Sequence, residues 1–235
     1  MIILSIDSST PVAGVAVADG EQLLGEIFLN TKNTHLEKLL PLIQQLLQDL
    51  ELSVEDLDAV AVTQGPGSFT GLRIGMATAK GLVQGADKKL IAVPTLDCLA
   101  RNLLHYPGVI CPILNAQKKQ VYTALYRGGQ QLERLSDYQA IGVEQLAQQL
   151  LQLEEDVWFL GDGVAAFADV LAQRLGSQCH FAEGNVRLSR AGSLAMLAAE
   201  RAECGQFDDL FQTELIYIRK PEAEVQWEAR HQGQQ

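Results

Sequence analysis

Residues 2–29 read IILSIDSSTPVAGVAVADGEQLLGEIFL, and this stretch decides the fold. Ile2 to Ile6 is an apolar run that ends in Asp7-Ser8-Ser9-Thr10-Pro11, residue types that turn a backbone and do not extend a buried strand. Val12 to Ala18 returns as a second strand, and Asp19-Gly20 turns it into a third, Leu23 to Leu29. The pattern then alternates: a helix from Thr34 to Leu50, a strand from Ala59 to Thr63, a helix from Ser68 to Gln84, a strand from Leu90 to Val93, and a helix from Leu96 to Leu104. After Tyr106-Pro107-Gly108 the order starts again. Strands at Val109–Leu114, Gln120–Tyr126 and Leu132–Leu135 lead to a helix at Val143–Leu151, a strand at Val157–Leu160 and a helix at Val164–Leu175. Two tandem βββαβα units predict an α/β protein of two similar lobes, residues 1–106 and 107–235, each a mixed sheet with helices on its faces. A last helix, Ala191 to Cys204, precedes a C-terminal segment that ends in the polar run Arg230 to Gln235.

Eighteen Lys and Arg against 29 Asp and Glu leave a net charge of −11. Phosphate backbones and anionic membranes attract clustered cations, so this average argues against unaided binding to either. Any role with RNA then calls for a basic partner. No apolar run approaches the ~18 residues of a membrane span, and the N-terminus lacks the basic start of a leader peptide. The expected location is cytoplasmic. Cys98, Cys111, Cys179 and Cys204 stand singly, which fits buried reduced thiols better than a disulfide frame or a zinc site.

Gln64-Gly65-Pro66-Gly67-Ser68-Phe69-Thr70-Gly71-Leu72-Arg73-Ile74-Gly75 marks the point where a strand gives way to a helix. Gly65 and Gly67 allow backbone angles closed to other residues, and Ser68 or Thr70 can cap the first helical turn. Such a turn offers backbone N–H groups to an anion. It is neither a Walker loop nor Gly-x-Gly-x-x-Gly, so an anion site and a tight structural turn both stay open. Within the helix, small residues recur at Gly71, Gly75 and Ala79 beside the apolar flank of Leu72, Met76 and Val83. A helical glycine costs about 1 kcal/mol relative to alanine, so close packing is the reason for the pair, against this chain's own sheet or against a second protein. In the preceding helix Leu36, Leu39, Leu40, Leu42, Ile43, Leu46, Leu47 and Leu50 spread over roughly 160°, wider than the ~100° that one buried face needs. One edge of that arc is a candidate partner surface.

The four histidines, His35, His105, His180 and His231, form no i, i+4 pair that could grip a metal from one helix face. No Gly-x-Ser-x-Gly elbow is present.

The element order and the Asp7-Ser8-Ser9-Thr10 hairpin resemble the actin-like ATPase superfamily, whose two ribonuclease-H-like lobes close on a nucleotide. That resemblance implies Asp7, Ser8 and Ser9 at phosphates or their metal ion, with Gly65, Gly67 and Ser68 as further nucleotide-side candidates. Within the superfamily, the Ile6-Asp7-Ser8-Ser9 start, Thr34-His35 ahead of Leu40-Pro41-Leu42-Ile43, the Gly65 to Gly75 block and Ile216-Tyr217-Ile218-Arg219-Lys220-Pro221 resemble the TsaB (YeaZ) family over essentially the whole chain. The resemblance implies a non-catalytic scaffold and activating subunit in synthesis of tRNA N6-threonylcarbamoyladenosine. Such a subunit binds the transferase TsaD, supports association of the ATPase TsaE, can pair with itself when alone, and meets tRNA only through the complex. The implied partner-facing residues are His35, Leu36, Leu40, Ile43 and Leu47 on one helix and Phe69, Gly71, Leu72, Gly75, Met76 and Ala79 on the next. No cofactor, resident metal or catalytic residue is implied. In the second lobe, Asn115-Ala116-Gln117-Lys118-Lys119-Gln120-Val121-Tyr122 departs from the family's commoner Asp-Ala-Arg-x-x-Glu-Val-Tyr. Asn115 and Gln120 are amides that do not titrate, and they hold Mg²⁺ less well than carboxylates. Two readings of another class are an independent nucleotide-dependent phosphotransferase using Asp7 and the glycine turns, and a peptidase. The amide-rich turn counts against the first, and the missing nucleophile and base count against the second.

Overall fold

The computed structural model describes residues 1–30 and 35–219, with the side chains of residues 35–37 outside the description. The N-terminal meander forms as its alternation predicts: β1 (Ile2–Asp7), β2 (Val12–Asp19) and β3 (Gln22–Asn30) pair antiparallel. Helix α1 (His35–Asp49) follows, then β4 (Ala59–Thr63), which lies parallel to β1. Parallel neighbours need a crossover, and α2 (Phe69–Ala86) carries the chain over to β5 (Lys89–Val93). The first sheet runs β3-β2-β1-β4-β5, and α3 (Thr95–Arg101) leads out of it.

The second half repeats the plan. Strands β6 (Val109–Asn115), β7 (Gln120–Thr123), β8 (Tyr126–Arg127), β9 (Glu133–Arg134) and β10 (Gln139–Gly142) precede α4 (Val143–Leu151). Then come β11 (Val157–Leu160), α5 (Val164–Leu175), β12 (Cys179–Phe181), α6 (Gly184–Arg187) and α7 (Ala191–Glu203). The second sheet runs β10-β7-β6-β11-β12, the same third-second-first-fourth-fifth order as the first. Two strand readings are corrected. The predicted third strand at Leu132–Leu135 is only a two-residue rung on β8, and the sheet's third strand is β10, whose Gln139-Ala140-Ile141-Gly142 has one buried residue and no readable alternation. The predicted Gln120–Tyr126 strand splits, because β6 is long enough to pair β7 at Ile113–Asn115 and β8 at Val109–Ile110.

Period-two alternation buries both faces of the first sheet. Leu4, Ile6, Val60 and Val62 meet α1 and α2, while Ile3, Ala59, Ala61 and Ile91 meet α3 and α7. Helix α7 thus comes from the second half of the chain and packs on the first sheet. Beyond it, Asp208 closes the β5 edge: its N–H donates to the Leu90 carbonyl at 2.8 Å and its carboxylate accepts from Ala92 N–H at 2.7 Å. The segment then straps along α2, with Lys80 Nζ donating to the Thr213 carbonyl at 2.8 Å and Ile216 N–H to the Gln64 carbonyl at 2.7 Å. Among the described residues no helix is long and apolar enough to cross a membrane. Cys98 and Cys111 are buried, and desolvation pushes the Cys111 thiol up to about 12. The expectation of buried thiols is corrected at two positions: Cys179 is half-buried on the short strand β12, and Cys204 is exposed because it caps α7 where the helix runs out into the Gly205 turn.

Asp97 on α3 ties the two sheets together, its Oδ1 accepting from Tyr126 Oη at 2.6 Å and Tyr138 Oη at 2.8 Å. Burial, the largest influence, raises the Asp97 pKa despite both bonds. A carboxyl whose pKa is higher folded than unfolded stabilises fully below the unfolded value near 3.8, and that contribution is lost as pH rises through the folded value. Asp97→Asn keeps an acceptor for both tyrosines and removes the buried charge. The variant is expected to match or exceed the parent's melting temperature at pH 7, with the parent gaining on it as the pH falls toward 4. A parent that gains on the variant as the pH rises would sink this account.

Candidate functional site

Asp7 stands at the end of β1 and is 2% exposed. Its Oδ1 accepts from Ser9 N–H at 2.9 Å, Ser9 Oγ at 2.6 Å and Thr63 Oγ1 at 3.0 Å, and its Oδ2 accepts from Ser189 Oγ. Both oxygens are therefore engaged by the protein, one of them by the segment that leads into α7. Metal-bound nucleotide, the ligand that the fold resemblance implies, does not fit this donor set: the carboxylate faces hydroxyls of its own chain.

The hairpin also explains the glycines. Ser8 Oγ donates to the Gly71 carbonyl at 2.8 Å. A Cβ built on Gly71 would lie 2.0 Å from the Ser8 carbonyl oxygen, one on Gly67 2.2 Å from that of Ser9, and one on Gly75 2.4 Å from Ser8 Oγ. Of the two packing readings, the one within this chain holds for Gly71 and Gly75. Gly65 is required for a second reason, its φ of +108°, and its missing Cβ leaves room for the Ile216 carbonyl. Ser68 is the cap, accepting from Gly71 N–H at 3.2 Å.

Between the sheets lies a cavity of about 570 Å³. Ser9, Gly67 and Ser68 line it from the first sheet's side, facing Asn115, Gln117 and Asp162. Of the expected nucleotide-side residues, Asp7, Ser8 and Gly65 are not among the lining residues. Asp162 accepts from Asn115 N–H at 3.0 Å, and burial raises its pKa. Among the described residues no cluster of three or more His, Cys, Asp or Glu could hold a metal ion.

Helices α1 and α2 border a groove of about 540 Å³ lined mainly by the apolar Leu40, Ile43, Leu47, Leu52, Val54 and Leu82, with Gln44, Gln48 and Ser53 between them. Leu40 is 58% exposed at its rim.

A TsaD family model, described as tRNA N6-adenosine threonylcarbamoyltransferase, matches residues 22–227. The tRNA threonylcarbamoyladenosine biosynthesis protein TsaB of Bacillus subtilis is 31% identical across 97% of this chain and 98% of its own length. The chain belongs to the TsaB family. The TsaB protein of Escherichia coli is 27% identical over 93% of this chain and 95% of its own. The solved structure of YeaZ from Pseudomonas aeruginosa shares the fold, with a TM-score of 0.78 at 23% identity, over 92% of this chain and 100% of that one. The expected mixed α/β fold thus stands, with one sheet in each half.

In this TsaB-family chain the expected partner-facing residues do not share one surface. Ile43, Leu47, Leu72, Met76 and Ala79 are buried in the first sheet's own core, and Gly71 and Gly75 lie beneath Ser8. Phe69 is 39% exposed, at the cavity mouth against Tyr217. His35 and Leu36 open α1, and their side chains lie outside the described residues. Leu40, Ile43 and Leu47 border the groove, and of these three Leu40 is the exposed one. Two residues that sequence reasoning passed over flank Leu82 on α2: Gly81 and Gly85 are exposed, and a Cβ on either would meet nothing within 4 Å among the described residues. At 100° per residue both fall within roughly 100° of Leu82, the α2 residue that lines the groove. Their signal was present, as glycines four apart in a helix with no turn to make.

Proposed function

We propose that this protein is a non-catalytic scaffold and activating subunit for synthesis of N6-threonylcarbamoyladenosine in tRNA, working in the cytoplasm. Its α1–α2 face holds the TsaD-type transferase, and the pair recruits a TsaE-type ATPase. The same face joins two copies when the transferase is absent, and tRNA is engaged through the complex. The lobes at 1–106 and 107–235 are the working division, with α7 lent by the second to the first. One observation carries this reading: a large leucine stands exposed at the rim of an apolar groove, on a helix whose neighbour turns bare glycines outward. Glycines with no internal neighbour cost helix stability and allow another helix to approach closely. The engaged oxygens of Asp7 and the amides Asn115 and Gln117 support the non-catalytic part.

Leu40→Asp tests it. The side chain is exposed in the free protein, so the fold tolerates the charge, whereas burying an unpaired carboxylate against a partner costs several kcal/mol. Association with the transferase, followed by calorimetry and size exclusion, is expected to weaken by about 100-fold or more. Gly81→Leu should weaken it as well, while leaving the melting temperature at or above the parent's. Folded Leu40→Asp and Gly81→Leu proteins that bind the transferase like the parent would remove this face from the reading.

A further inference from the structure

We propose that the mouth of the interlobe cavity is a docking site for a single-stranded segment of RNA, an inference that rests on the proposed role in tRNA modification and names where this subunit touches the nucleic acid. The average charge is acidic, but docking responds to the local field. Arg219 lines the cavity, Arg73 sits against two of its lining residues, and Lys118 and Lys119 directly follow a third, Gln117. Among the described lining residues Asp162 is the one carboxylate.

The second observation is aromatic. Phe69 and Tyr217 are 39% and 41% exposed, with ring centroids 5.6 Å apart. The Arg73 guanidinium lies 3.8 Å from the Phe69 ring centroid, and its Nε donates to Tyr217 Oη at 3.2 Å. Tyr217, Phe69 and Arg73 so form a braced series of π faces and a guanidinium plane. Bases of any sequence stack on such surfaces while neighbouring cations hold the phosphates. An acidic peptide would satisfy the cations and leave the ring faces without a role, so the combination favours RNA.

The third observation is backbone geometry. Gln117, Lys118 and Lys119 have φ of +61°, +50° and +60°, three successive non-glycine residues in the left-handed region. Such conformations are unfavourable and concentrate at ligand clamps. Gln117, the first of the three, lines the cavity, and Lys118 and Lys119 follow it as exposed residues.

The test uses the isolated chain and a fluorescent oligouridylate of about 12 nucleotides, which has no fold of its own, so it does not depend on the transferase. Anisotropy should show saturable binding at about 50 mM salt that weakens toward 200 mM, since each phosphate contact to a single strand adds about 0.7 to the log–log salt slope. Lys118→Glu/Lys119→Glu/Arg219→Glu is expected to bind at least tenfold more weakly with a flattened slope, and Lys118→Arg/Lys119→Arg to bind like the parent. Tyr217→Ser should weaken binding at both salts, and Tyr217→Phe should not. A parent that fails to bind, or a triple variant with parental affinity and slope, overturns the proposal. A triple variant that loses the transferase and keeps the oligonucleotide overturns it too, and assigns the mouth to an acidic protein segment. Leu40→Asp should keep oligonucleotide binding, so failure of this site and failure of the scaffold reading are read separately.

Discussion

Gly71→Ala is expected to destabilise the protein by upwards of about 3 kcal/mol, and Gly71→Leu to prevent the first sheet's lobe from folding. Helix propensity alone points the other way, since alanine improves an exposed helical position by about 1 kcal/mol. Geometry decides which effect wins. The added methyl would sit 2.0 Å from the Ser8 carbonyl oxygen, and that oxygen belongs to a backbone held by the Asp7 network and by the Ser8 Oγ bond to the Gly71 carbonyl. A flexible side chain could move aside; this hairpin cannot do so without opening the end of β1. Gly81→Ala is the control, with nothing among the described residues within 4 Å of its Cβ, and should stabilise by about 0.5–1 kcal/mol. Urea denaturation of the two alanine variants checks both signs. Equal midpoints would mean that the hairpin does not overlie the helix as described.

The second large effect concerns Asp7. Asp7→Ala leaves Ser9 N–H and the hydroxyls of Ser9, Thr63 and Ser189 without their buried acceptor. Each stranded donor costs about 1–3 kcal/mol, less where a hydroxyl can turn elsewhere, so a total of roughly 3–5 kcal/mol is expected. Asp7→Asn differs in kind. Its amide oxygen can take the three bonds of Oδ1, and its amide nitrogen can donate to the Ser189 hydroxyl, which accepts as readily as it donates. Only the charge assistance is lost, about 1–2 kcal/mol. The asparagine protein should therefore fold, bind the transferase and support tRNA modification near the parental level, measured as modified adenosine per tRNA at matched subunit concentrations. A folded, complex-forming Asp7→Asn protein that abolishes modification would show that the carboxylate does chemistry, and the scaffold reading would fall.

Much of this architecture was legible because local signals agreed with one another. The meander, β4, α4, β11 and α5 appear where period-two and period-3.6 patterns put them, and Ser68, one of the two cap candidates, caps α2. Elements whose burial is one-sided or brief left no pattern. In β10 only Ile141 is buried, and β12 spans three half-buried residues, so neither alternates visibly. The site was legible in residue type more than in role. Asp7, Ser8 and Ser9 stood out as polar residues at a strand end, yet whether a carboxylate meets a metal or four donors of its own chain depends on Thr63 and Ser189, 56 and 182 residues away.

Helix α2 shows the division most sharply. By itself the sequence determined that a strand-turn-helix unit lies at Ala59 to Gln84, that Ser68 or Thr70 caps its helix, and that Gly71 and Gly75 exist for close approach, because capping, turn and helix energetics are local. Which glycines approach what was decided by tertiary structure. The β1–β2 hairpin overlies the first two turns and claims Gly71 and Gly75, while among the described residues nothing lies within 4 Å of a Cβ on Gly81 or Gly85. In the same way α1 announced an apolar arc too wide for one face, and only the packing of Ile43, Leu46 and Leu47 onto the sheet left Leu40 as its uncovered edge. Periodicity records that a residue is small or apolar. What stands opposite it is set by contacts between segments far apart in the chain, and no window of sequence contains both partners.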